Sequence, residues 1–248
     1  DYDYTLNPYE GCFFGCTYCY AAFFARSKQK QKDWGTWVTV KENALSLLRR
    51  KRTSTLRDKT VYMSSVTDPY QPVEQKLELT RDLLHLLSER FQPRLVLQTR
   101  SPLVTRDIDL LRNLDYVQVN MTVTTDSEEV RQAFEPTCPN NRARLRAIKE
   151  VQEAGIDTCI TLTPLLPVND PDQLAQDLID TEVDHFIVQP FHATKGRFVA
   201  GTRDQAMEMI ERYDWGPERY EQVLHILKQH IPDIGEGKEG FKPPWIQN

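Results

Sequence analysis

The chain has 248 residues, with 31 Lys and Arg against 36 Asp and Glu for a formal net charge of -5. Its 40% hydrophobic and 27% charged residues are those of a globular protein burying roughly 70–75% of its unfolded surface, which excludes disorder as the main state. The longest apolar run, Tyr18 to Ala25, is far short of the ~18–20 residues that a membrane-spanning helix needs.

In chain order, residues 2–6 read as a short strand that leads into a loop carrying Cys12, Cys16 and Cys19. The chain opens on Asp1 rather than Met, so a preceding segment is expected. Residues 41–52 place Ala44, Leu45 and Leu48 on one helical face, residues 60–66 are strand-like, and residues 74–91 put Leu79, Leu83, Leu86 and Leu87 at helical spacing. A strand over 94–99, a short helix over 105–113 and a strand over 116–124 follow. Residues 142–154 form a helix that stops at Gly155, 156–162 return to strand, Asp170-Pro171 opens a helix, and 184–188 give a sixth strand.

Six strands alternating with helices argue for parallel βαβ units and an α/β architecture. A parallel strand buried on both faces reads as continuously apolar, yet Gln118, Asn120 and Thr122 interrupt the fourth strand. An open or partial barrel with a polar interior fits better, and in such barrels chemistry sits at the C-terminal strand ends. Residues 1–190 are expected to form this core. Residues 191–248, with helices over 202–213 and 217–231 and a Gly- and Pro-containing tail from 235, are expected to pack on it as an extension.

Charge is uneven. Residues 26–59 hold eleven basic and three acidic side chains, +8 in a chain of net -5, which raises a basic face beside the barrel mouth as a candidate surface for a phosphate backbone. The cysteines are uneven too: of five, three fall within eight residues. A tight cluster in a large chain reads as metal binding in a reducing compartment, here the cytoplasm. Three thiolates at CxxxCxxC spacing wrap one face of an iron–sulfur cube, and clusters of four irons usually take four cysteines, so one iron is left open. A closed zinc site would need a fourth ligand from afar, such as His192 or Cys159. Covalent haem attachment is excluded because Tyr20, not His, follows Cys19.

Asn7-Pro8-Tyr9-Glu10-Gly11-Cys12 through Cys19-Tyr20-Ala21, with the aromatic Tyr18 before the last cysteine, resembles the radical S-adenosylmethionine superfamily. Thr67-Asp68-Pro69-Tyr70-Gln71-Pro72, Glu135-Pro136-Thr137, Ala147-Ile148-Lys149 to Ala154-Gly155-Ile156, and Pro164 to Asp170 make the chain similar to its spore photoproduct lyase-like branch. The resemblance implies a partial (β/α)6 TIM-type barrel with a helical C-terminal extension. It implies a [4Fe-4S] cluster on Cys12, Cys16 and Cys19 and reductive cleavage of S-adenosyl-L-methionine to a 5′-deoxyadenosyl radical that abstracts hydrogen. The electron would come from a donor such as flavodoxin or ferredoxin.

The same resemblance assigns cofactor contacts. Tyr18 offers its backbone and ring edge to the adenine, Thr67 a hydroxyl, and Arg100 a planar fork for the carboxylate. Independently of the resemblance, Asn120 is an amide inside a strand and needs a partner, either the ribose or a structural hydrogen bond to a neighbouring strand. Glu135, Arg142 and His192 read as helix-end and loop residues rather than substrate contacts. Spore photoproduct lyases return hydrogen from a cysteine just after strand 2, where this chain has Met63-Ser64-Ser65-Val66-Thr67-Asp68, so repair of a spore-type thymine lesion is not expected. Cys159 reads as a small core residue, and Cys138 as a loop residue that is reactive only if exposed. The substrate classes left open are a nucleic acid base or nucleotide and a peptide or small metabolite, with a non-catalytic iron–sulfur or zinc module as a third reading.

Overall fold

The computed structural model describes residues 2–191, 204–237, 241 and 243–246; His192 lies outside them. The chain enters through β1 (Tyr4–Leu6) and a hairpin of β2 (Tyr9–Gly11) with β3 (Val38–Val40), antiparallel, whose long connection carries the cysteines, a 3₁₀ turn (Tyr20–Phe24) and α1 (Lys28–Lys32). Then come α2 (Ala44–Arg49), β4 (Thr60–Met63), α3 (Glu74–Leu77), α4 (Leu79–Leu86), β5 (Arg94–Thr99), α5 (Ile108–Leu111), β6 (Tyr116–Thr122), α6 (Glu128–Phe134) and α7 (Asn141–Glu153). The chain continues through β7 (Asp157–Leu165), α8 (Pro171–Ile179), β8 (His185–Pro190), α9 (Asp204–Arg212), α10 (Pro217–His230) and β9 (Gly235–Glu236).

One parallel sheet runs β1-β4-β5-β6-β7-β8-β9. Each strand lies beside its predecessor in the sheet, so the winding never reverses. The sheet is also strongly curved. On its inner face the Gln98 amide of β5 donates to Thr122 Oγ1 of β6 at 2.6 Å and Thr161 Oγ1 of β7 at 3.0 Å, and its Oε1 accepts from Tyr62 of β4 at 2.9 Å. Neighbouring strands are ~4.8 Å apart, so one side chain that bonds across four strands requires a concave wall. Gln118, Asn120, Thr122, Cys159 and Thr161 line this polar interior, while Val61, Met63, Leu95, Leu97, Val119, Met121, Ile160 and Leu162 are buried on the other face in one core with Leu83, Leu84, Ile148, Val151, Leu174 and Leu178 of the surrounding helices.

Three departures from the sequence reading have local causes. The single helix expected over 74–91 breaks at Glu78, which is left-handed at φ 51°. Behind the break the buried Glu74 carboxylate accepts from the amides of Thr80 at 3.0 Å and Arg81 at 3.4 Å, capping α4. The unexpected α6 is capped by Ser127, which accepts from Val130 N at 3.4 Å. The described part of the tail is structured: β9 adds a seventh strand beside β8, and Trp245 donates to Asp157 at 3.0 Å, packs 5.8 Å from Tyr116 and accepts from Arg94. Those partners stand at the starts of β7, β6 and β5, so Trp245 closes the N-terminal end of the barrel, and the opposite end is left for the site.

Candidate functional site

The cysteine loop leaves β2 through Gly11, at φ 83°, where a Cβ would come within 2.6 Å of the Trp37 carbonyl oxygen. Gly15 and Gly35 are in backbone contact, a Cβ on Gly35 falling 2.8 Å from the Gly15 Cα. Only glycine fits such an approach, and it lays the loop flat on the turn before β3. Local amide bonds, Cys19 N to Cys16 O at 3.1 Å and Ala22 N to Cys19 O at 3.2 Å, fold the loop on itself.

Two distant segments brace it. After β4, the Thr67 hydroxyl donates to Gly11 O at 2.6 Å, and Gln71 accepts from Phe13 N at 3.0 Å while donating to Thr67 at 3.1 Å. At the end of α6, Phe134 O accepts from Thr17 N at 2.8 Å, and just beyond it the Thr137 hydroxyl donates to Phe13 O at 2.5 Å with Phe14 O 2.9 Å away. The Cys138 sulfur lies 3.7 Å from that of Cys16.

A buried charge node ties this segment to the barrel. Glu135 is fully buried; its carboxylate accepts from Tyr18, from Thr124 at 3.1 Å and from Arg144 at 2.6 Å, and Arg100 Nε lies 3.5 Å away. Burial alone would raise its pKa, but Arg144 and Arg100, and then the Tyr18 hydroxyl, hold it at about 2. The expectation that Glu135 sits on a surface helix end is therefore corrected, whereas Arg142 is exposed as that reading requires. Arg100 is aimed by Asp68, which accepts from its backbone amide and from Thr99, both at 2.8 Å, and its guanidinium donates to the Tyr18 hydroxyl at 3.1 Å. Burial works against the Arg100 charge, and Tyr18, Cys16 and Glu135 outweigh it.

Among the described residues, Arg100 Nε completes no hydrogen bond, because its 3.5 Å approach to Glu135 lacks hydrogen-bond geometry, whereas Asn120 gives its Oδ1 to Gln118 at 2.7 Å and bonds through its side chain to Tyr62. An unmet buried donor costs about 1–3 kcal/mol, which a bound group would recover. Burial pushes the Cys12 thiol well up and Cys19 up to about 12, whereas a hydrogen bond from Cys138 draws Cys16 down. Thiols held protonated in this way release protons on binding metal. Among the described residues no three metal-ligating side chains converge as a single-ion site.

The structure thus gathers Cys12, Cys16, Cys19, Tyr18 and Arg100 around one loop. Thr67 braces that loop and has only acceptor capacity left. Asn120 lies deeper on β6. Sequence reasoning missed Arg144, Gln71 and the proximity of Cys138, which is buried and not the exposed loop thiol a reactive role would need. Arg144 left a trace: it occupies a stripe position of α7 with Ala147, Ile148 and Val151, where an arginine must have a buried partner. Cys159 is buried as expected, on the inner face.

The basic segment splits. Arg49 and Lys51 offer their carbonyls to Arg90 at 2.7 and 2.9 Å, and Lys59 pairs with Asp3 at 3.3 Å; these neighbours precede β5 and β1, so this half lies at the closed end of the barrel. Arg26, Lys28, Lys30 and Lys32 lie on α1 and its approach, next to the cysteine loop and the exposed Tyr20, Phe23 and Phe24. Arg26 and Lys30 share Glu10 at 3.5 and 3.8 Å.

Residues 6–179 match the model of the radical SAM superfamily. An uncharacterized protein of Methanocaldococcus jannaschii is 36% identical over 188 residues, 76% of this chain and 66% of that protein, so the chain spans about two thirds of that relative's length. Among solved structures, a spore photoproduct lyase mutant with bound AdoMet and dinucleoside spore photoproduct superposes with a TM-score of 0.60 at 16% identity, over 94% of this chain and 75% of that one. Streptococcus suis SuiB bound to its precursor peptide SuiA gives a TM-score of 0.60 at 13% identity, over 95% and 48%. At these identities the two structures share the fold, the partial TIM-type barrel that the curved parallel sheet describes. With the family model covering most of its length and the cysteines inside that stretch, the chain belongs to the radical SAM superfamily and is a radical SAM enzyme.

Proposed function

We propose that Cys12, Cys16 and Cys19 hold a [4Fe-4S] cluster and that S-adenosyl-L-methionine occupies the adjoining barrel mouth. Arg100 then takes the methionine carboxylate with its unmet Nε–H, Thr67 accepts from the ammonium, Asn120 donates to the ribose, and Tyr18, whose hydroxyl is spent on Glu135, presents its ring and backbone to the adenine. When bound, the cluster supplies the electron, drawn from a carrier such as flavodoxin or ferredoxin, that splits the cofactor into methionine and a 5′-deoxyadenosyl radical. The chain's own part is to fix the cofactor, exclude water and present the substrate. The observation that carries this reading is the pairing of two buried cysteines, Cys12 and Cys16, and a half-buried third, Cys19, on a doubly braced loop with the orphaned Nε–H of Arg100 beside it.

For the substrate we favour a nucleic acid base or nucleotide. Tyr20, Phe23 and Phe24 are exposed at the rim, and Arg26, Lys28 and Lys32 follow within a few residues. Aromatic faces with interleaved cations are what a single strand stacks and threads on. No thiol stands in Met63 to Asp68, so hydrogen abstracted from the substrate is not returned from that segment.

Anaerobic reconstitution tests the cluster. The protein should take up close to four irons and four sulfides, and Cys12→Ala, Cys16→Ala or Cys19→Ala should lose them. Stoichiometric zinc with no iron uptake would overturn the assignment.

A further inference from the structure

We propose that the Cys138 thiol is a hydrogen-bond donor to the Cys16 sulfur and thereby sets the reduction potential of the group held by Cys12, Cys16 and Cys19. This rests on the reading of the site given above and goes beyond it, because the cysteine motif makes no use of a fourth thiol.

The contact is built rather than incidental. The two sulfurs are 3.7 Å apart, although the residues are 122 positions apart in sequence. Cys138 is buried, its backbone amide bonds to Glu135 O at 3.1 Å, and its carbonyl accepts from Arg131 at 2.8 Å, so its backbone is held on both sides of the Cα. The preceding Thr137 is pinned to the cysteine loop through Phe13 O at 2.5 Å, with Phe14 O at 2.9 Å. The same short segment therefore shapes the cysteine loop and delivers the fourth sulfur to it.

The chemistry gives the contact a direction. As a metal ligand Cys16 is a thiolate and can only accept, which leaves the Cys138 S–H as the donor. Its alternative acceptor, Phe14 O, is longer at 3.9 Å. A donor to a ligating sulfur withdraws electron density from the cluster and stabilises its more negative, reduced state, and hydrogen bonds to sulfur are among the levers that set cluster potentials. The expected consequence is a higher potential than three bare thiolates would give.

The test compares reconstituted wild type with Cys138→Ala and Cys138→Ser in a dithionite titration through mediators, read by the electron paramagnetic resonance of the reduced cluster. Cys138→Ala should keep its full iron content but reduce about tenfold less favourably, ~59 mV lower for one electron. Cys138→Ser, which retains an O–H donor, should fall between the two. Cys138→Val fills the space without a donor and should match Cys138→Ala, which separates loss of the hydrogen bond from a cavity effect. Equal potentials in all variants would overturn the proposal. Loss of iron in Cys138→Ala and Cys138→Val would overturn it as well, making Cys138 a ligand. Wild type that takes up no iron would instead overturn the reading of the site on which the proposal rests.

Discussion

Arg100 shows how a local signal and a distant one combine. Its place at the end of β5 is legible from strand periodicity, but the partners that leave its Nε unmet are not: Tyr18 is 82 positions away and Asp68 is 32. The Glu135 carboxylate, pinned by Arg144, lies beside one edge of the guanidinium without saturating it. Arg100→Ala should weaken S-adenosylmethionine binding by roughly 1.5–3 kcal/mol, the scale of a hydrogen bond to a charged group, and Arg100→Lys should restore little, since a point charge lacks the planar fork. Equilibrium binding to the reconstituted protein checks this, and an unchanged affinity would place the carboxylate elsewhere. Glu135 and Arg144 escaped a reading of neighbours in sequence because what makes them functional is mutual burial with Tyr18, 117 positions from Glu135.

At the scale of elements, all six expected strands of the sheet form, because buried parallel strands keep their apolar outer face even where the inner one is polar. The β2–β3 hairpin escaped notice: its strands are three residues each, too short to carry periodicity. It matters nonetheless, because the turn before β3 is the floor under the cysteine loop. Gly35, at φ 98°, meets Gly15 backbone to backbone. Gly35→Ala should therefore cost about 1–3 kcal/mol of stability from backbone strain and the forced shift, and should lower iron uptake along with it, whereas an alanine at Gly155, where no atom lies within 4 Å of a Cβ, should cost stability but leave iron uptake intact. Denaturant melts paired with iron analysis separate the two, and full iron loading in Gly35→Ala would refute the role of that contact.

At the scale of the molecule, Trp245 covers one end of the barrel and the cysteine loop stands at the other, and the sequence did not reveal which end the basic residues of 26–59 occupy. They occupy both. No helix among the described residues is long and apolar enough to cross a membrane, and the positive rim beside the cysteine loop stands out against a net charge of -5. Short single-stranded oligonucleotides should bind with an affinity that falls with salt at a log–log slope of roughly -0.7 per phosphate contacted. Reversing Arg26, Lys28 and Lys32 should flatten that slope, while reversing Arg49, Arg50 and Arg52 at the closed end should not. Absent binding at low salt, or equal sensitivity to the two sets, would shift the substrate to a peptide or small metabolite.

The chemistry itself is tested most directly by reducing the anaerobically reconstituted protein in the presence of S-adenosylmethionine and separating the products. 5′-Deoxyadenosine and methionine should form in equal amounts, slowly even without substrate, and not at all in Cys12→Ala, Cys16→Ala and Cys19→Ala. Intact cofactor after hours beside a demonstrably reduced cluster would contradict it.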